Sequence, residues 1–261
     1  MSLPSNCEYL IIGAGIHGLS TAWHLCKKLS KKGQLKENSV VVLEKTKVGE
    51  GATSVACGIV RNNYYQPAMR SLMAHSVNVW NENAEALTFR KVGYMQINSQ
   101  LMHEGMSEVY HQQKEIGYES DFIEGAADCD KYMKEMFPDW QAQGITSVLH
   151  EKNSGYGANI GANLGFKKLA ESAGAKILEG VEVTDLISSN GSGAVTAVET
   201  NQGKVECTQL VVAAGPWVRK FWEILELPNS VQIKQPDGSF TDDIPMWSYM
   251  ALEEGELEVD P

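Results

Sequence analysis

The apolar positions of the first fifty residues switch between two periods. Tyr9-Leu10-Ile11-Ile12 is an unbroken apolar run ending in glycine, the pattern of a strand buried on both faces of a parallel sheet. Over 16–32 the spacing becomes helical and puts Leu19, Ala22, Trp23 and Leu29 on one face. Lys27, Lys28, Lys31 and Lys32 crowd its last turns, the sign a helix C-terminus favours, and Gly33 is a fitting stop. Val40-Val41-Val42-Leu43 is a second buried strand, and residues 49–58 are glycine-rich and loop-like. Beyond them the pattern predicts helices over 67–87, 102–117, 126–136, 163–173 and 217–227. Strands are predicted over 91–98 and 145–149, and several more between 175 and 212, broken at Asn190-Gly191-Ser192-Gly193 and Asn201-Gln202-Gly203. Such an order predicts an α/β domain interrupted by an inserted layer, not two domains in tandem.

Composition narrows the function classes. Of 261 residues, 43% are apolar and 21% charged, enough for a real core. The net charge of -11 is the wrong sign for a sheath on nucleic-acid phosphates and reads as solubility; part of it sits in Glu253-Glu254-Gly255-Glu256-Leu257-Glu258. Five cysteines (Cys7, Cys26, Cys57, Cys129, Cys207) form no CxxC pair, which argues against a disulfide framework and a zinc site and for a reducing, cytoplasmic setting. The six histidines show no HxH or HExxH spacing, so no metal site is expected. No signal peptide is visible. Residues 9–26 lack Asp, Glu, Lys and Arg, but three glycines and two histidines make them a poor membrane span.

The main chemical signal is Gly13-Ala14-Gly15-Ile16-His17-Gly18, a GxGxxG between a predicted strand and a predicted helix. The first glycine permits a tight turn, the second lets backbone approach a pyrophosphate, and the third lets helix and strand pack closely. The pyrophosphate then meets the free N–H groups and positive end of the helix. An acid is also needed after the next strand, to bond the adenosine ribose. Glu44 stands there, 26 residues beyond Gly18, more than the usual ~20 because the helix and the polar loop after it are long. A carboxylate on the ribose suits NAD and FAD alike.

Further blocks favour FAD. The first segment resembles that of the D-amino-acid oxidase, glycine oxidase and sarcosine oxidase superfamily. Gly51-Ala52-Thr53-Ser54-Val55-Ala56-Cys57-Gly58-Ile59-Val60-Arg61 is similar to that family's loop beside the flavin ring. Val211-Val212-Ala213-Ala214-Gly215-Pro216-Trp217 resembles its second FAD-contacting strand and turn. The stretch 161–182 resembles the piece that supports the adenine, and Lys91-Val92-Gly93-Tyr94-Met95 the first strand of the substrate layer. The blocks run in the family's order from about residue 8 to 225, and the nearest branch is sarcosine oxidase or its β subunit.

That resemblance implies a Rossmann-type FAD-binding domain over 1–90 and 145–226, with an inserted α+β substrate domain begun at 91–144 and resumed at 227–261. It implies that Gly13, Gly15, Ile16, His17 and Gly18 hold the pyrophosphate, Glu44 the ribose, and that Lys45 flanks the adenosine. Thr53 and Ser54 would lie near the phosphates or ribityl chain. Cys57, Gly58 and Ile59 would line the isoalloxazine, with Cys57 a small residue beside the ring and not a covalent attachment point. Val183 would meet the adenine through its backbone, and Gly215 and Trp217 would close the far side. Arg61 matches an arginine that engages the substrate carboxylate; a surface salt bridge is the competing reading. Tyr64, just past it, reads as packing.

The implied activity is oxidation of a small amine or amino acid, such as an N-methyl amino acid, by hydride transfer to flavin. Family members are longer than this chain, and Ile244-Pro245-Met246-Trp247-Ser248-Tyr249-Met250-Ala251-Leu252 resembles the start of a second excursion into the substrate layer. The expectation is therefore a chain truncated at its C-terminal side, or a degenerate or split version of the fold, whose exposed apolar surface a partner chain or dimerisation could cover. The rivals are a non-catalytic FAD-binding or assembly module and an NAD-dependent dehydrogenase.

Overall fold

The two apolar runs at 9–12 and 40–43 lie side by side as parallel strands, Leu10 opposite Val41 and Ile12 opposite Leu43. The computed structural model describes residues 2–189, 193–235 and 237–245. In chain order the elements are β1 (Asn6–Ile12), α1 (Ile16–Lys31), β2 (Val40–Glu44), β3 (Ile59–Val60), α2 (Pro67–Glu82), β4 (Phe89–Arg90), β5 (Tyr94–Ser99), α3 (Gln100–Glu115) and β6 (Asp121–Glu124). There follow α4 (Ala126–Met136), β7 (Ile145–Glu151), β8 (Gly155–Gly157), α5 (Asn159–Ser172), β9 (Lys176–Glu179), β10 (Val183–Ser188), β11 (Val195–Thr200), β12 (Gly203–Val212), α6 (Val218–Ile224), β13 (Ser230–Val231) and β14 (Ile244–Pro245). Residues 190–192 of the predicted turn, the acidic tail 253–258, and residues 246–252 of the segment resembling a second excursion lie outside the described residues.

Two compact units emerge. The first joins residues up to 54 with those from 166 onward. Its six-stranded sheet runs β10-β11-β12-β1-β2-β9. The four strands β12-β1-β2-β9 are parallel, and β10-β11-β12 add an antiparallel meander. The parallel strands are apolar on both faces because both are covered. Leu10, Ile12, Val41, Leu43, Leu178 and Val205 form one core with Phe221 of α6, while α1 packs on β1 and β2 and buries Leu19, Ala22, Trp23, Cys26 and Leu29. Each fully buried aliphatic side chain stabilises by about 1.5–3 kcal/mol relative to exposure. This is the α/β, Rossmann-type arrangement the sequence predicts.

The second unit, residues 55–165, is antiparallel. One sheet runs β3-β8-β4 and the other β5-β7-β6. Successive side chains of β7 point to opposite faces: Leu149 packs with Met106 and Val109 of α3, and Val148 with Cys129 and Met133 of α4.

Several boundaries differ from the sequence reading. Helix α2 stops at Glu82, not near residue 87, because Asn81 and Asn83 donate to the carbonyls of Val77 and Val79 and the chain turns to a positive φ at Thr88. Strand β5 starts at Tyr94, since Gly93 ahead of it has φ +83° and lies so close to His150 that a Cβ would sit 2.7 Å from Nε2. Strands β3, β4, β6 and β8 have two to four residues, too few for a period-two pattern to register. Among the described residues no helix is long and apolar enough to cross a membrane.

One buried titratable group of the second unit gives a pH prediction. His150 accepts or shares a 2.8 Å bond with the Tyr132 hydroxyl at Nδ1; burial, then the nearby Lys152, lower its pKa, with Asp121 opposing. The unfolded chain therefore binds the proton first as pH falls below about 6.5. Stability is full above that value and is lost as pH drops toward the lower folded pKa. Urea midpoints between pH 7.5 and 5 are expected to fall less steeply in His150→Gln than in the unaltered chain.

Candidate functional site

The glycine turn is built by two close approaches. Gly13 has φ +99°, and a Cβ there would lie 2.5 Å from the Ala213 carbonyl oxygen. A Cβ on Gly18 would lie 1.9 Å from the Gly13 oxygen. Packing alone thus requires both glycines. Gly15 is different: its φ of −73° is open to any residue, and its Cβ direction meets only the Thr53 hydroxyl oxygen at 3.2 Å. Gly15 is also the N-cap of α1 and supplies no side-chain cap. The Ile16 N–H donates instead to Thr53 Oγ1 at 3.2 Å. An anion oxygen fits the position of that hydroxyl, at the positive end of a sixteen-residue helix without an acid in its first turn. The ring of His17 is exposed and adds nothing to this turn.

Glu44 closes the turn from the next strand. Its Oε2 accepts the Ala14 N–H at 2.8 Å, and Oε1 accepts the Thr46 N–H and hydroxyl at 3.1 and 3.2 Å. A carboxylate has about four lone-pair sites and three are filled here, so acceptor capacity remains for one hydroxyl of the ribose kind. Glu44→Gln is expected to weaken FAD binding by about tenfold, one charge-assisted bond, and to lower the melting temperature too, because each carboxylate oxygen accepts a backbone N–H that an amide nitrogen would oppose; equilibrium dialysis against FAD checks the first.

The other predicted residues of this unit gather nearby. The Val181 N–H donates to the Glu44 carbonyl at 2.9 Å and the Gly180 N–H to Thr46, which brings the stretch leading into Val183 beside the acid. Val183 itself is a core residue. The exposed Lys45 ammonium lies 4.6 Å from the centroid of the half-exposed Trp217 ring. That ring also faces Gly51, whose Cβ would sit 3.6 Å from it. Gly215 has φ +57° and open space where a side chain would be. Ser54 donates to the Gly51 carbonyl at 2.8 Å and shapes its own turn.

Cys57, Gly58, Ile59 and Arg61 belong to the second unit. Cys57 and Ile59 are exposed. Gly58 has φ +68°, and a Cβ would lie 2.4 Å from the Gly157 oxygen and 2.6 Å from Asn159 Oδ1; packing against β8 suffices to require it. Asn159, which the sequence reading missed, also donates to the Ala56 carbonyl. Arg61 lies against two rings, its Cζ 5.3 Å from the Tyr64 centroid and 4.9 Å from that of Tyr94, and Nη1 donates to the Tyr94 hydroxyl. Among the described residues it pairs with no carboxylate, so the salt-bridge reading finds no partner there. Burial lowers its pKa, but the phenols of Tyr94 and Tyr64 outweigh this and hold it above the ordinary value.

The neighbouring carboxylate is fully occupied. Glu151 is buried and accepts from the Asn62 N–H at 2.7 Å, Gln113 Nε2 at 2.7 Å, Ser154 Oγ at 2.6 Å and the Tyr118 hydroxyl at 3.4 Å. It anchors the residue after Arg61 without neutralising the guanidinium. Tyr94, Gln96 and Glu151 were not among the site residues the sequence predicts; the available hint was the polar alternation Tyr94, Gln96, Asn98 along one strand face.

Sarcosine oxidase subunit beta of Rhizobium meliloti is 26% identical over 224 residues, 79% of this chain and 49% of that protein. The mitochondrial pyruvate dehydrogenase phosphatase regulatory subunit of Mus musculus is 23% identical over 239 residues, 89% of this chain and 26% of its own. Among solved structures, L-proline dehydrogenase from P. horikoshii superposes with a TM-score of 0.75 at 22% identity, over 90% of this chain and 63% of that one, a likeness of fold. The chain thus spans about half, or less, of the curated relatives it matches. The DAO family, FAD dependent oxidoreductases, matches residues 8–237, and on that match the chain belongs to this FAD-dependent family.

Proposed function

We propose that the protein to which this sequence belongs oxidises a small amine or amino acid of the N-methylglycine kind, with FAD bound through the residues named above. Gly13, Gly15, Ile16, His17 and Gly18 hold the pyrophosphate through backbone, and Glu44 accepts the ribose hydroxyls. Lys45 and Val183 flank the adenosine. Thr53 and Ser54 attend the phosphates or ribityl chain, and Cys57, Gly58, Ile59, Gly215 and Trp217 face the ring system. FAD supplies a hydride acceptor for the C–H bond next to the substrate nitrogen, and water hydrolyses the resulting imine. Arg61 holds the carboxylate by its guanidinium fork. In domain terms, residues 1–90 and 145–226 serve the cofactor and 91–144 and 227–261 the substrate. The Rhizobium relative's name, a subunit, supports a partner chain; the thiol-only cysteines support a reducing compartment such as the cytoplasm.

The observation that carries the reading is Arg61, a cation against two rings that pairs with no carboxylate among the described residues. Arg61→Met is expected to leave FAD binding intact and to lower kcat/KM for N-methylglycine by at least a hundredfold, near 3 kcal/mol. Anaerobic bleaching of the flavin band measures it, and unchanged bleaching would count against the reading. A second reading, a non-catalytic FAD-binding module, is favoured by the likeness to a regulatory subunit. It predicts bound flavin that neither N-methylglycine nor free amino acids bleach.

A further inference from the structure

We propose that Tyr94, with Gln96 behind it, is the positioning residue for Arg61: it fixes the plane of the guanidinium so that its free edge meets a small carboxylate. The inference rests on the reading of Arg61 above and goes beyond it by assigning what sets the geometry of that group.

An arginine on a loop next to a two-residue strand has several rotatable bonds, and an anion would have to order them on binding. Here the ordering is built in. The Tyr94 hydroxyl donates to Gln96 Oε1 at 2.9 Å, so its proton is committed and its lone pairs are left for Arg61 Nη1. The Gln96 amide is oriented in turn, because the same oxygen accepts from Asn63 Nδ2 at 3.4 Å. The relay runs Asn63 to Gln96, Tyr94 to Gln96, and Arg61 to Tyr94.

Two further features fix the arginine from its flanks. The Tyr64 ring also lies against it, 5.3 Å from its Cζ. Asn62, next in the chain, is tied to buried Glu151, the residue directly opposite Tyr94 across β5 and β7. One cross-strand pair therefore holds both the side chain of Arg61, through Tyr94, and the backbone after it, through Glu151. Since Glu151 is already filled by four donors, the cation stays available for an external anion. A planar fork held in one orientation favours a planar, two-oxygen anion over a tetrahedral one.

Calorimetric titration of the chain with acetate, and separately with inorganic phosphate, tests the idea. Tyr94→Phe keeps the ring over Arg61 and removes only the hydroxyl. It is expected to weaken acetate roughly tenfold without lowering the melting temperature. Gln96→Leu, which frees the tyrosine proton, is expected to weaken acetate in the same direction. In turnover of N-methylglycine by the FAD-loaded protein, KM rises in both variants while kcat holds. Acetate affinity unchanged in both variants but lost in Arg61→Met overturns the positioning role and leaves the reading of Arg61 standing. A Tyr94→Phe chain that melts earlier yet binds acetate normally makes the tyrosine a packing residue, which also overturns it. Acetate bound equally by Arg61→Met, or not bound by the unaltered chain, overturns both. Phosphate bound by the unaltered chain as tightly as acetate contradicts the planar fork.

Discussion

Gly15→Leu is expected to fold normally and to lose FAD, raising its dissociation constant at least a hundredfold, about 3 kcal/mol. The reason lies in what surrounds this glycine. Its φ is ordinary for any residue, and the only atom in the way of a Cβ is the end of the Thr53 side chain at 3.2 Å. The protein therefore has no strong packing need for glycine here. A leucine would instead fill the space ahead of the Ile16 N–H, where a pyrophosphate oxygen is expected. Circular dichroism together with flavin absorbance after gel filtration separates the two effects. Retained flavin in a folded Gly15→Leu chain would move the pyrophosphate away from this turn.

Gly18→Ala is expected to damage the fold itself. The added methyl would sit 1.9 Å from the Gly13 oxygen and 3.4 Å from the Ala213 side chain, and backbone cannot step aside as a side chain can. Overpacking costs about 1–3 kcal/mol where neighbours can relax. Here α1 would have to lift off β1 and β12, so the upper end or more is expected, a fall in melting temperature on the order of 10 °C. Differential scanning calorimetry checks it; a melting temperature within a degree or two of the unaltered chain would mean that helix and strand are less tightly seated than the structure has them. The two glycines of one motif thus make opposite predictions, one for ligand and one for fold.

The same contrast explains what the sequence made legible. The strand, glycine turn, helix and acid were readable because each is a local pattern: an apolar run, a spacing of glycines, a carboxylate after the next run. The inserted antiparallel layer was readable in outline from Lys91 onward, and its helix α4 appeared with both ends as predicted over 126–136. Gly58 was noted as a glycine beside a flat ring, yet its φ and the approach of Gly157 already require it; a glycine in a sequence does not say which neighbour forbids the side chain. Tyr94, Gln96 and Glu151 were not legible as site residues. Their link to Arg61 crosses more than thirty residues and depends on the register of β5 with β7, which no local spacing encodes. Asn159 was hidden likewise, because α5 begins four residues before the apolar pattern suggests.

Titration of the purified, folded chain with FAD, followed by gel filtration, tests directly whether these residues hold FAD. Flavin absorbance near 450 nm on the order of one per chain is expected to travel with the protein, shifted from the free-flavin spectrum, and Gly15→Leu is expected to remove it. A folded chain that carries no flavin after the column would contradict the account, and one that took up NAD instead would return it to a nicotinamide-binding Rossmann domain.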